Sequence, residues 1–111
     1  MRDLTIIGGG PAGAAAGVYA ARKRLKTTLV TKEWGGQSTV SPDIQNWIGT
    51  PHVSGSDWAK MLEEHVKEYA GECVEPMEGC TVAKIEKKGE NHFVVTLDND
   101  ETVETKTVLV A

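Results

Sequence analysis

A run of glycines lies near the start of this chain, between an apolar segment and an alanine-rich segment. The sequence reads DLTIIGGGPAGAAAG from Asp3, and Gly8, Gly10 and Gly13 give the spacing G-x-G-x-x-G. Between a strand and a helix, the first glycine permits a tight turn and the second lets a pyrophosphate approach the backbone. The third lets the helix pack on the strand. The pattern predicts a dinucleotide-binding turn, and the alternative is a glycine-rich turn without a ligand.

The flanking segments have the composition that this motif requires. Residues 4–7 (LTII) form a short run rich in β-branched residues, typical of a strand buried in a parallel sheet. Residues 12–25 are alanine-rich and end among cations that favour a helix C-terminus, and Pro11 suits the start of a helix. With residues 27–31 (TTLVT) as the second strand, the unit predicts a right-handed crossover and a parallel strand pair.

Dinucleotide-binding folds of this type use an acidic residue near the end of the second strand to bind ribose hydroxyls. Here the strand ends at Thr31 and Lys32, so the first acidic residue, Glu33, comes late. Glu33 either reaches the ribose or is a solvated loop carboxylate. The motif alone does not separate FAD from NAD.

A long loop and a second helix follow. Residues 32–54 are rich in Gly, Ser, Pro, Asn and Thr without a regular period, and such a long irregular segment is typically functional. Ser54 and Asp57 form a capping-box signature, and Gly71 is the expected end of the helix. Apolar spacing predicts one core-facing stripe on this helix, made by Trp58, Met61, Leu62, His65, Val66 and Tyr69.

The last third alternates between apolar and polar residues. Residues 81–88, 92–97 and 101–106 are separated by turn signals and predict a three-stranded antiparallel meander. Residues 107–111 (TVLVA) predict a further buried parallel strand. The chain is thus expected to form an α/β fold with a parallel sheet.

Composition excludes several classes of function. A chain of 111 residues forms one small domain, and its net charge of −4 with scattered signs gives no basic face for nucleic acid. No apolar stretch has the length of a membrane span, and the start lacks the pattern of a secretory signal, so we expect a cytoplasmic protein. Cys73 and Cys80 have the spacing of neither a CxxC pair nor a zinc site, which favours structural cysteines. The three histidines are dispersed, so no metal site is expected.

Three motifs in order resemble one family. GGGPAG, GGQ at residues 35–37 and IQNWIGTP at residues 44–51 are similar to the FAD-binding half of thioredoxin reductase-like flavoprotein disulfide reductases. The resemblance covers nearly the whole chain and implies a three-layer Rossmann-like FAD-binding fold, incomplete at the C-terminus. It implies that residues 1–111 are the N-terminal part of the FAD-binding domain, with the NADPH-binding domain and the C-terminal FAD segment absent.

The resemblance also assigns cofactor contacts. Gly8, Gly10, Pro11, Ala12 and Gly13 would line the FAD pyrophosphate, with Glu33 as the candidate for the ribose. Gly35, Gly36 and Gln37 would run beside the ribityl and flavin portions. Asn46 would either lie near the isoalloxazine or cap a turn, and Val82 would offer its backbone to the adenine. Trp47 is expected to anchor its loop in the core, and the alternative is a ring that stacks on the flavin.

The resemblance implies that the complete enzyme passes electrons from NADPH or NADH through FAD to a disulfide or another acceptor, such as a thioredoxin-like protein. It also implies a homodimer. No residue of this chain is expected to be catalytic, and the chain alone is expected to be inactive and to bind FAD weakly or not at all, because half of a cleft lacks covering contacts. The alternatives are a stand-alone nucleotide-binding module without catalysis, or the FAD-binding part of a ferredoxin or quinone reductase or of a monooxygenase.

Overall fold

The computed structural model describes residues 1–111, the whole printed chain. It contains six strands, two α-helices and one short 3₁₀ helix. In chain order these are β1 (Arg2–Ile7), α1 (Pro11–Arg22), β2 (Thr27–Thr31), the 3₁₀ helix (Gly36–Val40), α2 (Gly55–Lys67), β3 (Val74–Glu78), β4 (Val82–Gly89), β5 (His92–Leu97) and β6 (Thr102–Val110).

All six strands form one sheet, in the order β3-β2-β1-β6-β5-β4. β1 pairs in parallel with β2 and β6, and β2 pairs in parallel with β3. β5 pairs antiparallel with β4 and β6, which forms the predicted meander. β6 belongs to both the parallel and the antiparallel part of the sheet, because its residues 102–105 pair with β5 and its residues 105–110 pair with β1.

Neighbouring residues of β2 face two separate hydrophobic cores. Leu29 packs with Ile6 of β1 and Val66 of α2, whereas Val30 packs with Val95 of β5. Because successive side chains of a strand point to opposite faces, the helices pack on one face of the parallel strands, and the meander, which is joined to them through β6, packs on the other. This arrangement confirms the predicted three-layer, Rossmann-like α/β fold.

Helix α1 presents small residues to the sheet. A Cβ placed on Gly17 would lie 3.1 Å from Cδ1 of Leu29, so the helix axis lies close to the strands. The helix ends at Arg22, three residues earlier than predicted, because Arg24 adopts a left-handed conformation with φ of +59°.

Helix α2 begins as predicted and ends early. The Ser54 Oγ accepts a hydrogen bond from the Asp57 amide at 3.2 Å, which confirms the cap. The helix ends at Lys67, before the predicted stop at Gly71, which has φ of +87° in the following turn.

The predicted stripe on α2 is only partly a core face. Trp58 and Val66 are buried, with Val66 fully excluded from solvent. Met61 is 45% exposed and His65 is also exposed, so their prediction as core residues is wrong. The reason is that α2 packs against α1, the 3₁₀ helix and β3 over a narrower strip than the apolar spacing covers.

Two further expectations about strands need correction. β3 was not predicted, and it lies at the sheet edge, where Pro76 is tolerated. The expected separate strands 101–106 and 107–111 are one continuous strand, β6. Its end is not buried, since Leu109 is 38% and Val110 is 73% exposed and neither belongs to a core cluster.

The loop between β2 and α2 has little regular structure, as predicted. Beyond the 3₁₀ helix it forms two isolated antiparallel bridges, Ile44 with Val53 and Trp47 with Thr50. None of the helices has the length and apolar character needed to cross a membrane.

Candidate nucleotide-binding cleft

The carboxyl ends of β1, β2 and β6 meet at one edge of the sheet, and an open groove of about 380 Å³ lies there. In parallel sheets ligands bind in the crevice at the carboxyl ends of the strands where the strand order reverses, and here β1 lies between β2 and β6. The groove is lined by residues 8–13, Thr31, Lys32, Glu33, Gly36 and Ala111.

Two motif glycines are required by the fold itself. Gly8 has φ of +115°, and a Cβ there would lie 2.8 Å from the carbonyl oxygen of Ala111. A Cβ on Gly13 would overlap the carbonyl oxygen of Gly8 and lie 2.8 Å from its carbonyl carbon. Both positions therefore exclude a side chain before any ligand is considered.

Gly10 is different, because protein packing does not require it. Its φ is −77°, which any residue adopts, and the nearest atom to an added Cβ is the carbonyl oxygen of Gly35 at 3.9 Å. The Cβ would instead stand in the open groove. The lack of a side chain thus leaves the Gly10 backbone open to the groove.

The start of α1 forms an anion-binding surface. Gly10 is the N-cap and Pro11 is in the first turn, with no side-chain cap and no acidic residue in that turn. The amide of Ala14 bonds the carbonyl oxygen of Gly10 at 2.9 Å, which leaves the amides of Ala12 and Gly13 without an acceptor inside the helix. These donors and the helix dipole favour a negatively charged ligand at the groove.

The segment after β2 is bonded back to the glycine loop. The Thr31 hydroxyl donates to the Glu33 carbonyl oxygen at 2.7 Å, and the Gly35 amide donates to the Gly9 carbonyl oxygen at 2.9 Å. The exposed Glu33 lines the groove despite its late position in the sequence. Glu33 therefore lines the same groove as the helix start, next to the exposed Lys32.

The remaining predicted cofactor residues lie outside this groove, apart from Gly36, which lines it. Gly35 lies between β2 and the 3₁₀ helix, where it is buried and has a φ of +86°. Gln37 is exposed on the 3₁₀ helix, and Asn46 is exposed on the loop between β2 and α2. Val82 is half-buried in β4 and packs against the meander-side core.

Trp47 packs in part as expected. Its ring lies edge-on to Trp58 of α2, with 5.0 Å between ring centroids, although Trp47 stays 40% exposed. The contact ties the loop to α2.

Several residues at the groove were not predicted. Gly9 is one, since a Cβ there would overlap the Thr31 hydroxyl and lie 2.8 Å from the Thr31 Cβ. The run of three consecutive glycines, of which Gly9 is the second, was the available signal for it. Thr31, Lys32 and Ala111 line the groove only because three strands end together, which no local pattern reveals.

The cysteines are free thiols and lie away from the groove. The Sγ of Cys80 is 3.4 Å from the carbonyl oxygen of Met77, and burial, with smaller contributions from Asp98 and Glu101, raises the pKa of this thiol. A raised pKa disfavours the nucleophilic thiolate. No group of three or more His, Cys, Asp or Glu side chains is placed to hold a metal ion.

A parallel sheet whose first strand, glycine turn and helix form an anion-binding cleft defines the Rossmann-like class of nucleotide-binding folds. Within this class, the chain belongs to the pyridine nucleotide-disulphide oxidoreductase family, whose sequence profile matches residues 2–111.

Individual relatives agree with this assignment. The chain is 38% identical over 109 residues to an alkyl hydroperoxide reductase of Staphylococcus epidermidis, and the match covers 98% of this chain and 21% of that protein. A protein of Bacillus subtilis named NADH dehydrogenase is also 38% identical, with 98% of this chain and 20% of that protein covered. The crystal structure of Lactococcus lactis thioredoxin reductase superposes with a TM-score of 0.89 at 29% identity, over 99% of this chain and 35% of that one. The chain thus spans about a fifth of the length of these two curated relatives.

Proposed function

We propose that this chain binds FAD and forms the N-terminal part of the FAD-binding domain of a thioredoxin reductase-like oxidoreductase. The observation that carries the proposal is Gly10, whose missing side chain opens the backbone to the groove although packing does not require it. Family membership supports a flavin and a pyridine nucleotide as the cofactors of the complete protein.

The residues of the groove fit one end of a dinucleotide. The free amides of Ala12 and Gly13 would donate hydrogen bonds to the pyrophosphate. Gly10 has no side chain that would block the approach of the pyrophosphate to these amides. Glu33 would accept hydrogen bonds from the adenosine ribose. FAD, when bound, would supply the hydride and electron chemistry, and this chain would hold and orient it.

The flavin half of the cofactor would follow the loop after β2. Gly35, Gly36 and Gln37 would flank the ribityl and flavin portions, Asn46 would lie near the isoalloxazine, and Val82 would offer backbone to the adenine. The exposure of Gln37 and Asn46 leaves their amide groups free to bond a ligand.

In the complete protein, we propose that a pyridine nucleotide domain and a C-terminal FAD segment complete the cleft, and that two copies form a homodimer. Electrons would pass from NADPH or NADH through FAD to a disulfide or another acceptor. The relatives carry names as different as alkyl hydroperoxide reductase and NADH dehydrogenase. The acceptor is therefore expected to depend on the remainder of the protein. The cytoplasmic location expected from the sequence stays a prediction.

The test is an NMR titration of the ¹⁵N-labelled chain with FAD, which detects weak binding. We expect saturable shifts of the Gly10, Ala12 and Gly13 amides. Gly10→Ala is expected to weaken FAD binding at least about tenfold, equivalent to about 1.4 kcal/mol, because its Cβ occupies the pyrophosphate path. Its melting temperature is expected to fall only slightly, since the nearest protein atom would lie 3.9 Å from the added Cβ and the only loss is the preference of the N-cap position for glycine over alanine.

Gly89→Ala is the matched control. Gly89 lies at the end of β4 with no atom within 4 Å of an added Cβ, far from the groove in the fold. It should leave both FAD affinity and melting temperature unchanged. If Gly10→Ala and the unsubstituted chain bound FAD with equal affinity, the glycine loop would not hold the pyrophosphate. If the unsubstituted chain showed no shifts at the highest FAD concentration of the titration, the proposed function would be refuted.

A further inference from the structure

Trp34 follows Glu33 directly and is buried in the core on the helix side of the sheet, with 8% of its surface exposed. Its indole Nε1 donates a hydrogen bond to Oε1 of Glu78 at 2.6 Å. Glu78 is the last residue of β3 and lies in register with Thr31, the last residue of β2. The indole therefore connects the loop after β2 to the end of the edge strand.

Glu78 is itself fixed by a second partner. The Nζ of Lys67, at the end of α2, lies 2.9 Å from Oε1 of Glu78 and 2.8 Å from Oε2 of Glu63. The indole N–H, and then the Lys67 ammonium, lower the pKa of the Glu78 carboxyl. The acceptor of the Trp34 hydrogen bond is thus a carboxylate, and hydrogen bonds to charged groups are stronger than those between neutral groups.

Hydrogen bonds hold Glu33 and the two residues that follow it in place. The Thr31 hydroxyl holds the carbonyl of Glu33 itself, the indole anchors residue 34, and the Gly35 amide is bonded to Gly9 of the glycine loop. Packing adds to this, since a Cβ on Gly35 would lie 2.9 Å from the Thr39 side chain. The backbone of Glu33 is therefore held at the edge of the groove, and this backbone sets the region that its exposed carboxylate can reach.

We propose that Trp34 is a positioning residue: through its hydrogen bond to Glu78, it holds Glu33 where the carboxylate meets the ribose hydroxyls of the bound nucleotide. The inference rests on the nucleotide binding proposed above. Trp34 itself touches no ligand, and its effect on affinity passes entirely through the carboxylate of Glu33.

The test uses ADP, which carries the pyrophosphate and the ribose, and 2′,3′-dideoxy-ADP, which lacks both ribose hydroxyls. Trp34→Phe keeps an aromatic ring in the core and removes the N–H donor. We expect it to weaken ADP binding by about fivefold to tenfold and to leave the affinity for the dideoxy ligand unchanged. A residue that only supported the fold would weaken both ligands by the same factor.

Trp58→Phe is the matched control. Trp58 is also buried, with 5% exposed, and its indole nitrogen has no hydrogen-bond partner. The substitution removes the same atoms without removing a hydrogen bond. The ratio of the affinities for ADP and for 2′,3′-dideoxy-ADP should therefore equal that of the unsubstituted chain.

Substitutions at Glu78 test the same hydrogen bond by changing its acceptor. Glu78→Gln retains an oxygen that accepts from the indole, and it should bind ADP within about twofold of the unsubstituted chain. Glu78→Ala removes the acceptor and should match Trp34→Phe, with no further loss when the two are combined. If Glu78→Gln were as weak as Glu78→Ala, the ion pair with Lys67, and not Trp34, would be responsible, and the inference would fall.

The outcomes separate this inference from the proposed function. Binding of neither ADP nor FAD by the unsubstituted chain would refute both. Equal affinity for ADP and the dideoxy ligand in that chain would remove the ribose role of Glu33. Discrimination between the ligands that persists in Trp34→Phe would overturn the role of Trp34 alone.

Amide hydrogen exchange gives a check without ligand. Trp34→Phe should speed exchange of the Gly35 amide and leave exchange of the Leu29 amide in β2 unaffected. An unchanged exchange rate at Gly35 would contradict the inference.

Discussion

Replacing Gly13 by alanine is expected to destabilise the fold by about 3 kcal/mol, because the added methyl group overlaps backbone that has nowhere to move. The overlapped atom is the carbonyl oxygen of Gly8, with its carbonyl carbon 2.8 Å away. Ala111 Cβ lies 3.6 Å away on the same side. Helix α1 must therefore move away from the turn, which also loosens its packing on β2.

Thermal and urea denaturation followed by circular dichroism measure this effect. For a domain of this size, the melting temperature should fall by more than about 10 °C. Gly89→Ala, where an added Cβ meets nothing within 4 Å, should unfold like the unsubstituted chain. A melting temperature of Gly13→Ala within about 2 °C of the original would mean that the turn adapts at little cost, contrary to the geometry.

The two alanine substitutions in the glycine loop are expected to act on different properties. Gly13→Ala lowers stability because its Cβ meets the protein, whereas Gly10→Ala lowers ligand affinity because its Cβ meets only the groove. The sequence motif treats both positions as parts of one signature. Only the structure separates the glycine needed for folding from the glycine needed for access.

The parts of the fold that were predicted from the sequence depend on local signals. β2 has the predicted bounds, and α1 begins within one residue of the prediction, because a β-branched run, a glycine turn and Pro11 each act over a few residues. The Ser54 cap of α2 is equally local. The meander was predicted from alternation and turn residues for the same reason.

The parts that were missed depend on distant partners. β3 reads VEPME, in which Pro76 and two glutamates argue against a strand, and it becomes one because the exposed edge of β2 offers a partner in register. β6 was predicted as two strands because its polar first half and apolar second half differ, although one strand pairs with β5 and then with β1.

The candidate site divides in the same way. The glycine loop and Glu33 were predicted from short-range patterns, and the structure places them in one groove. Trp34 was not predicted, because its role depends on Glu78, 44 residues further along the chain. No local pattern in KEWGG indicates that the indole is buried with a carboxylate as its acceptor.

Leu29→Ala is expected to destabilise the fold by about 3 to 4 kcal/mol, since it removes a fully buried side chain and leaves a cavity between β2 and α1. Leu29 is 0% exposed and packs with Ile6 and Val66 in the helix-side core. Denaturation with urea measures the loss, which is a large share of the roughly 5 to 15 kcal/mol that stabilises a typical domain. Leu109→Ala, at a leucine of the same sheet that is 38% exposed, should cost clearly less than Leu29→Ala.

A second substitution shows whether the cavity explains the loss. A Cβ on Gly17 lies 3.1 Å from Cδ1 of Leu29, too close in the unsubstituted chain but free to enter the space that Leu29→Ala opens. Adding Gly17→Ala should therefore recover about 1 kcal/mol or more, part from refilled space and part from the better helix propensity of alanine. In the unsubstituted chain Gly17→Ala should gain less, because Leu29 must shift to admit the methyl group. Equal gains in both backgrounds would mean that propensity alone acts and that α1 does not rest on Leu29 as closely as the geometry indicates.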